Sequence, residues 1–206
     1  MRLGILVSGR GSNLEAVLDA IASGRLAAVE AALVIGNRPG IRALEVAARR
    51  GVPWRLLAQD DFPSAEARDG TIGQALTEAA CDLALLAGYD QLLRRSYFAA
   101  FGGRTINIHP SLLPRHGGRG MLGLAVHAAV LAAGDEETGV TVHDVTPALD
   151  AGPAILQVRV PVLPGESATD LAERVLEVEH RVLLEVLARL SASMTAGSPA
   201  PIRARR

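Results

Sequence analysis

Asn107 and His109 stand two residues apart in Asn107-Ile108-His109-Pro110-Ser111-Leu112-Leu113-Pro114, and Asp150 follows about forty residues later in Leu149-Asp150-Ala151-Gly152-Pro153. An amide and a protonated imidazole can both donate hydrogen bonds to an oxygen that gains negative charge. A nearby carboxylate favours the imidazolium form and can relay a proton, directly or through water. Three such groups in one place suit the addition of an amine to a carbonyl.

The spacing says what must position them. Asn107 and His109 are i and i+2 in an apolar run, so on a strand both leave by one face while Ile108 points to the core. At the carboxyl end of a central parallel strand, that face opens into the crevice where open α/β sheets bind ligands. Pro110 and Pro114 stiffen the loop that follows. A lone Asn or His would read as a strand-end hydrogen bond, but the pair backed by two prolines favours a site. Asp150 alone would read as a turn aspartate. His143 reads first as a sheet-face histidine, with the same cleft as its alternative. No His, Cys or Asp pair has trustworthy metal-ligand spacing, so no metal is expected. Ser111 lacks a G-x-S-x-G setting, which leaves general acid–base chemistry.

Apolar runs at residues 3–7, 31–35, 83–87 and 105–108 read as strands, with amphipathic stretches at 13–22, 41–50, 65–80 and 91–100 reading as helices between them. That alternation predicts an α/β fold: a Rossmann-like, mostly parallel sheet flanked by helices. Gly51-Val52-Pro53 ends the second helix and opens a short strand at 54–57. Beyond the glycine-rich loop 115–120, a helix at 122–133 precedes two strands, 139–145 and 154–160, that add to the sheet antiparallel in the C-terminal half. Residues 169–190 read as one amphipathic helix with Leu171, Val175, Val178, Val182 and Leu183 in a stripe. Residues 1–190 are expected to form a single domain. Residues 191–206, rich in Ala, Ser, Pro and Arg, are expected to be a disordered tail.

Gly9-Arg10-Gly11-Ser12-Asn13-Leu14 lies between the first strand and the first helix, where glycines let backbone approach an anion that helix N–H groups can hold. The third glycine of a dinucleotide fingerprint is missing, and Gly36-Asn37-Arg38 stands where a ribose-binding acid is expected. NAD is therefore disfavoured and a phosphate monoester fits better. The plainer reading is that Ser12 caps the helix.

Composition narrows the partners. The 206 residues carry a formal net charge of −1, and their positive charge is all Arg. Neither nucleic acid nor an anionic membrane is indicated, and a small-molecule partner is expected. Aromatics are only 3%, so the core must come from Ala, Val, Leu and Ile. The single cysteine, Cys81, reads as a small buried hydrophobe. With no signal peptide and no apolar run of about 20 residues, a cytoplasmic location is expected.

The chain resembles the phosphoribosylglycinamide formyltransferase family over roughly residues 1–190. The resemblance is carried by Ser8-Gly9-Arg10-Gly11-Ser12-Asn13-Leu14, Leu86-Ala87-Gly88-Tyr89, Asn107 to Pro114, Thr138-Gly139-Val140-Thr141-Val142-His143 and Leu149-Asp150-Ala151-Gly152-Pro153. It implies formyl transfer from 10-formyltetrahydrofolate, as co-substrate, to phosphoribosylglycinamide in purine synthesis. The phosphoribosyl substrate would lie with the N-terminal half and the folate against the C-terminal half. Gly11, Ser12 and Asn13 inherit the phosphate-binding role and Glu179 the substrate ribose. Asp90, Gln91, Leu92 and Leu93, with Thr146 to Asp150 and Asn107, match the folate-binding segments. Asn107, His109 and Asp150 inherit the catalytic roles. Two departures stand out: Asp90 occupies a position where the family often has Met, and Ala65 one where it often has Arg. Arg68, one turn further along, is expected to replace that arginine against the folate.

Two relatives within the fold are weaker fits. A formyltetrahydrofolate hydrolase would be expected to carry an extra N-terminal domain and a His-His-Ser-Phe-type segment, and an initiator-tRNA formyltransferase a C-terminal barrel and basic surface. Another small-molecule amine acceptor remains open. A non-catalytic phosphate-binding module would leave the three converging groups without a purpose. A monomer or homodimer is expected.

Overall fold

The computed structural model describes residues 1–195 and divides into two compact units, Met1–Ile106 and the residues from Asn107 onward. The sequence alternates β-strand and helix through the first unit. β1 (Arg2–Val7), β2 (Glu30–Gly36), β3 (Trp54–Leu56) and β4 (Leu83–Leu86) pair in parallel, in the order β3-β2-β1-β4. Leu3, Ile5, Leu6, Val7, Val34, Ile35 and Leu85 are fully or almost fully buried, as strands covered on both faces require. The crossovers contain α1 (Ser12–Ala22), α2 (Arg42–Arg49) and α3 (Ala65–Glu78). α4 (Arg95–Ala100) then leads to β5 (Arg104–His109), which begins in the first unit and ends in the second.

α3 and α4 pack closely because position 73 has no side chain. A Cβ on Gly73 would come within 2.7 Å of the Tyr97 carbonyl and 2.8 Å of the Ala100 methyl. Tyr97 is fully buried, and its hydroxyl shares a 2.8 Å hydrogen bond with Thr105. Cys81 is buried as expected, and burial pushes its thiol up to about 11, so it stays a neutral hydrophobe.

In the second unit α5 (Leu124–Ala132) precedes β6 (Glu137–Asp144) and β7 (Ala154–Pro161), an antiparallel pair. α6 (Ala168–Thr195) packs on both strands and on α5. Its first turn is closed by Ser167, which accepts the Asp170 N–H while Asp170 accepts the Ser167 N–H at 3.0 Å.

Three expectations shift. The segment from Gln91 is extended until Arg95, because the Asp69 carboxylate accepts the Arg94 N–H at 2.9 Å and fixes where α4 starts. α6 runs five residues into the expected tail, to Thr195, with Leu190 and Ser191 still buried; residues 196–206 lie outside the described residues. On α6 the buried stripe passes through Glu179 rather than Val178, which is half-buried, since the 171, 175, 179, 182, 186 spacing follows the helical repeat. Among the described residues no helix is long and apolar enough to cross a membrane.

Candidate active site

In the first unit the turn after β1 is held in shape by its own backbone and by α2. Gly11 is the N-cap of α1, with φ 80, and no side chain caps the helix. Ser12 is thus the first helical residue, and the plainer reading of it as a helix cap does not hold. An alanine at position 11 would be strained in this left-handed backbone, and its Cβ would stand 2.8 Å from the Ala43 methyl. The Gly9 carbonyl accepts the Ala43 N–H, and Arg42 donates to the Arg10 carbonyl at 3.2 Å. Asn13 is buried, with its Oδ1 unpartnered.

The segment after β4 is pinned at both ends. The Asp90 N–H donates to Ser8 Oγ at 2.9 Å, and its carboxylate accepts from Asn37 Nδ2 at 2.8 Å and from Arg38. Burial alone would push this carboxyl up, but the hydrogen bonds from Asn37, Ser8 and Arg38 win and hold it below the usual range. The acid that replaces a family Met is therefore charge-paired inside its own unit. Of its neighbours, Gln91 donates to Asp90 Oδ1 at 3.4 Å, Leu92 is 43% exposed and Leu93 is buried.

Arg68 is placed differently from its expected role. It is fully buried, and its Nε and Nη2 donate to Asp69 Oδ1 at 3.0 and 2.7 Å. Counting one turn along the helix put it on the face of Ala65, but α3 turns that face inward at Arg68, where the guanidinium anchors Asp69 and through it the start of α4. The side chain is enclosed rather than exposed, and its Nη1 has no hydrogen-bond partner among the described residues.

The second unit gathers the reactive side chains. Asn107 Nδ2 and His143 Nε2 are 3.1 Å apart, and His143 Nδ1 meets the Asp144 carbonyl at 2.9 Å. A carbonyl can only accept, so Nδ1 carries the hydrogen and Nε2 presents a lone pair to the Asn107 amide N–H. Burial pushes the His143 pKa below that of a free histidine, against the Asp144 carbonyl and the Asp150 charge, which favour protonation. A neutral His143 thus fixes which way the Asn107 amide points. His143 is therefore more than the sheet-face histidine its place on a strand suggests. The usable signal was its i, i+2 relation to Thr141, whose hydroxyl donates to the Ser111 carbonyl at 2.6 Å and so ties that face of β6 to the loop after His109.

Asp150 Oδ1 lies 3.8 Å from His143 Nε2, while its Oδ2 accepts the Gly118 N–H at 2.8 Å. Asp150 has φ 50, and the turn is closed by Gly152, where any Cβ would overlap the Asp144 carbonyl. Thr146 closes the other side by donating to the Ala148 carbonyl at 3.1 Å. His109 is buried, and its Nε2 is 2.9 Å from the His116 carbonyl, to which it must donate. Asn107, His143 and Asp150 form a contiguous set. His109 enters through the loop 110–118, and Glu179 is buried on α6.

Sequence and structure comparisons decide the lineage. A model of the formyl transferase family matches residues 1–187. Phosphoribosylglycinamide formyltransferase of Escherichia coli is 38% identical over 88% of this chain and 83% of its own length. The chain belongs to the phosphoribosylglycinamide formyltransferase family. The trifunctional purine biosynthetic protein adenosine-3 of Drosophila pseudoobscura pseudoobscura is 40% identical over 92% of this chain, which spans only 14% of that protein. Glycinamide ribonucleotide transformylase 1 from Symbiobacterium toebii superimposes with a TM-score of 0.87 at 39% identity, covering 94% of this chain and 88% of that one. The formyltransferase family fold, a mostly parallel sheet flanked by helices with an antiparallel pair in the second unit, is thereby established.

Proposed function

We propose that this family member transfers the formyl group of 10-formyltetrahydrofolate to the amine of phosphoribosylglycinamide, a step of de novo purine synthesis carried out in the cytoplasm. The observation that carries the reading is the oriented Asn107 amide, held by a neutral His143 with Asp150 alongside. Formylfolate supplies an electrophilic formyl carbon. As the amine nitrogen bonds to that carbon, charge grows on the formyl oxygen, and Asn107 Nδ2–H with a protonated His109 ring N–H stabilise it. Asp150 takes up the proton lost by the amine, directly or through water, and it is returned to the departing folate nitrogen as its bond to the formyl carbon breaks.

In the first unit, Gly11, Ser12 and Asn13 hold the substrate phosphate, favoured by the α1 N-terminus with no side-chain cap in the way. Glu179 meets the ribose hydroxyls. Leu92, an exposed apolar side chain, and the backbone of Asp90, Gln91 and Leu93 suit a pterin, and pairing of Asp90 with Asn37 and Arg38 removes the objection that an acid stands there. Thr146 and Asp150 supply the folate contacts of the second unit.

Incubating the protein with 10-formyltetrahydrofolate, with and without phosphoribosylglycinamide, tests the reading. Amine-dependent release of tetrahydrofolate is expected. Equal release without the amine would make it a hydrolase, and none would end the proposal.

A further inference from the structure

The catalytic reading assigns His109 a role but leaves open what sets its ring. The second unit contains an arrangement around it that the reaction does not itself require. His109 Nε2 donates to the main-chain carbonyl of His116. That carbonyl belongs to a residue with φ 53, a left-handed conformation that a non-glycine side chain adopts only when surroundings impose it. The surroundings are specific: His116 Nε2 lies 2.6 Å from Asp135 Oδ2, and Arg115 Nε donates to the same Asp135 oxygen at 2.7 Å. Hydrogen bonds from Arg115 and then His116 hold the Asp135 carboxyl down at about 2, so the anchor is ionised throughout the neutral range. Ser111, fully buried, donates to the Arg115 carbonyl at 2.7 Å and closes the turn from the inside.

Resting on the formyl-transfer reading above, we propose that His116 is a positioning residue for His109: its side chain, gripped by Asp135, sets the carbonyl that receives His109 Nε2–H and so leaves Nδ1 as the ring nitrogen offered to the reacting oxygen. A histidine's tautomer is chosen by whatever its other nitrogen bonds to, and a carbonyl on Nε2 fixes the hydrogen there in the neutral ring. The same carbonyl stabilises the imidazolium, whose remaining Nδ1–H becomes the donor to the oxyanion. Arg115, His116 and Asp135 also line an open cavity of about 220 Å³ with Leu112, Glu136, Glu137 and Thr138.

The test uses Asp135→Ala, which removes the anchor, His116→Ala, which removes the gripped side chain, and Asp135→Asn, which keeps an oxygen able to accept from His116. The readouts are steady-state kinetics and the His109 tautomer, followed by long-range proton–nitrogen NMR of histidine-labelled protein above pH 8 and assigned by the signal lost in His109→Gln. We expect the Nε2–H tautomer in the wild type. In both alanine variants we expect a mixed tautomer population and a kcat lower by about tenfold, the range typical of residues that orient a functional histidine. KM for both substrates should stay within about twofold, and Asp135→Asn should restore the tautomer and most of the turnover. An Nδ1–H tautomer in the wild type, alanine variants with wild-type kcat, or a fall in kcat with no change in tautomer would each overturn the proposal. If the wild type transfers no formyl group at all, the functional reading fails while the NMR arm still judges the positioning.

Discussion

The turn at residues 9–13 and the cluster around Asn107 are built from different parts of the chain. The turn consists of a left-handed glycine and a helix N-terminus without a side-chain cap, and Arg42 and Ala43 hold its shape. The cluster works with side chains whose orientation depends on a second tier of groups: His143 on Asn107, the Asp144 carbonyl on His143, the Gly118 N–H on Asp150. A backbone site therefore fails through shape, and a side-chain site fails through the loss of single atoms.

The largest test of that contrast is in the cluster. His109→Ala or Asp150→Asn should lower turnover by about 10²- to 10³-fold, the scale of losing one preorganised charge-stabilising group, with the native fold retained by circular dichroism. Near-normal turnover in either would remove these residues from the chemistry. Arg68→Ala should do the reverse: a loss of roughly 1–3 kcal/mol in denaturant-measured stability, because the buried Asp69 Oδ1 loses its donors while Oδ2 keeps the Arg94 contacts. Its affinity for formylfolate, measured by titration of the folded fraction, should not change; a selective loss of affinity would restore the ligand role first expected for it.

At the turn, Gly11→Ala should cost about 1–3 kcal/mol in backbone strain and raise the KM for the phosphate-bearing substrate more than it lowers kcat. Equal effects on both would mean the turn does not bind phosphate.

The smallest effect is a pH dependence of stability. His127 and His143 are both buried with pKa values pushed below that of free histidine, His127 by burial and by the neighbouring His109. The unfolded chain then takes up protons first, so stability is full above about pH 6.5 and falls as pH drops below it, by at most about 1.4 kcal/mol per pH unit for each residue. Thermal unfolding at intervals between pH 8 and 5 should show the midpoint dropping only below that point, and Gln at both positions should make the slope shallower, leaving the part that His180, also lowered by burial, contributes.

The strands were legible because buried parallel strands leave unbroken apolar runs, and β1, β2 and β4 lie within one residue of those runs. The start of α4 was not, since it is set by Asp69, 25 positions away in sequence. The pair Asn107 and His109 could be read from strand spacing. Their supporting groups could not: His143 acts through a ring tautomer fixed by its neighbour's carbonyl, and His116 through its main chain, which no residue type announces. Arg68 misled for a related reason. Helical spacing says which residues share a face, and only packing says whether that face meets water or Asp69.

The left-handed backbone at Asp150 governs how its carboxylate can be interrogated. Asparagine tolerates that conformation and keeps the shape of the side chain, so Asp150→Asn removes the charge and exchanges one acceptor oxygen for a donor without bending the turn. Alanine would subtract the carboxylate and add a conformational penalty in the same stroke, and glycine would subtract the carboxylate while relaxing the turn. Read together, the alanine and glycine variants separate what position 150 contributes as a bend in the chain from what it contributes as an anion.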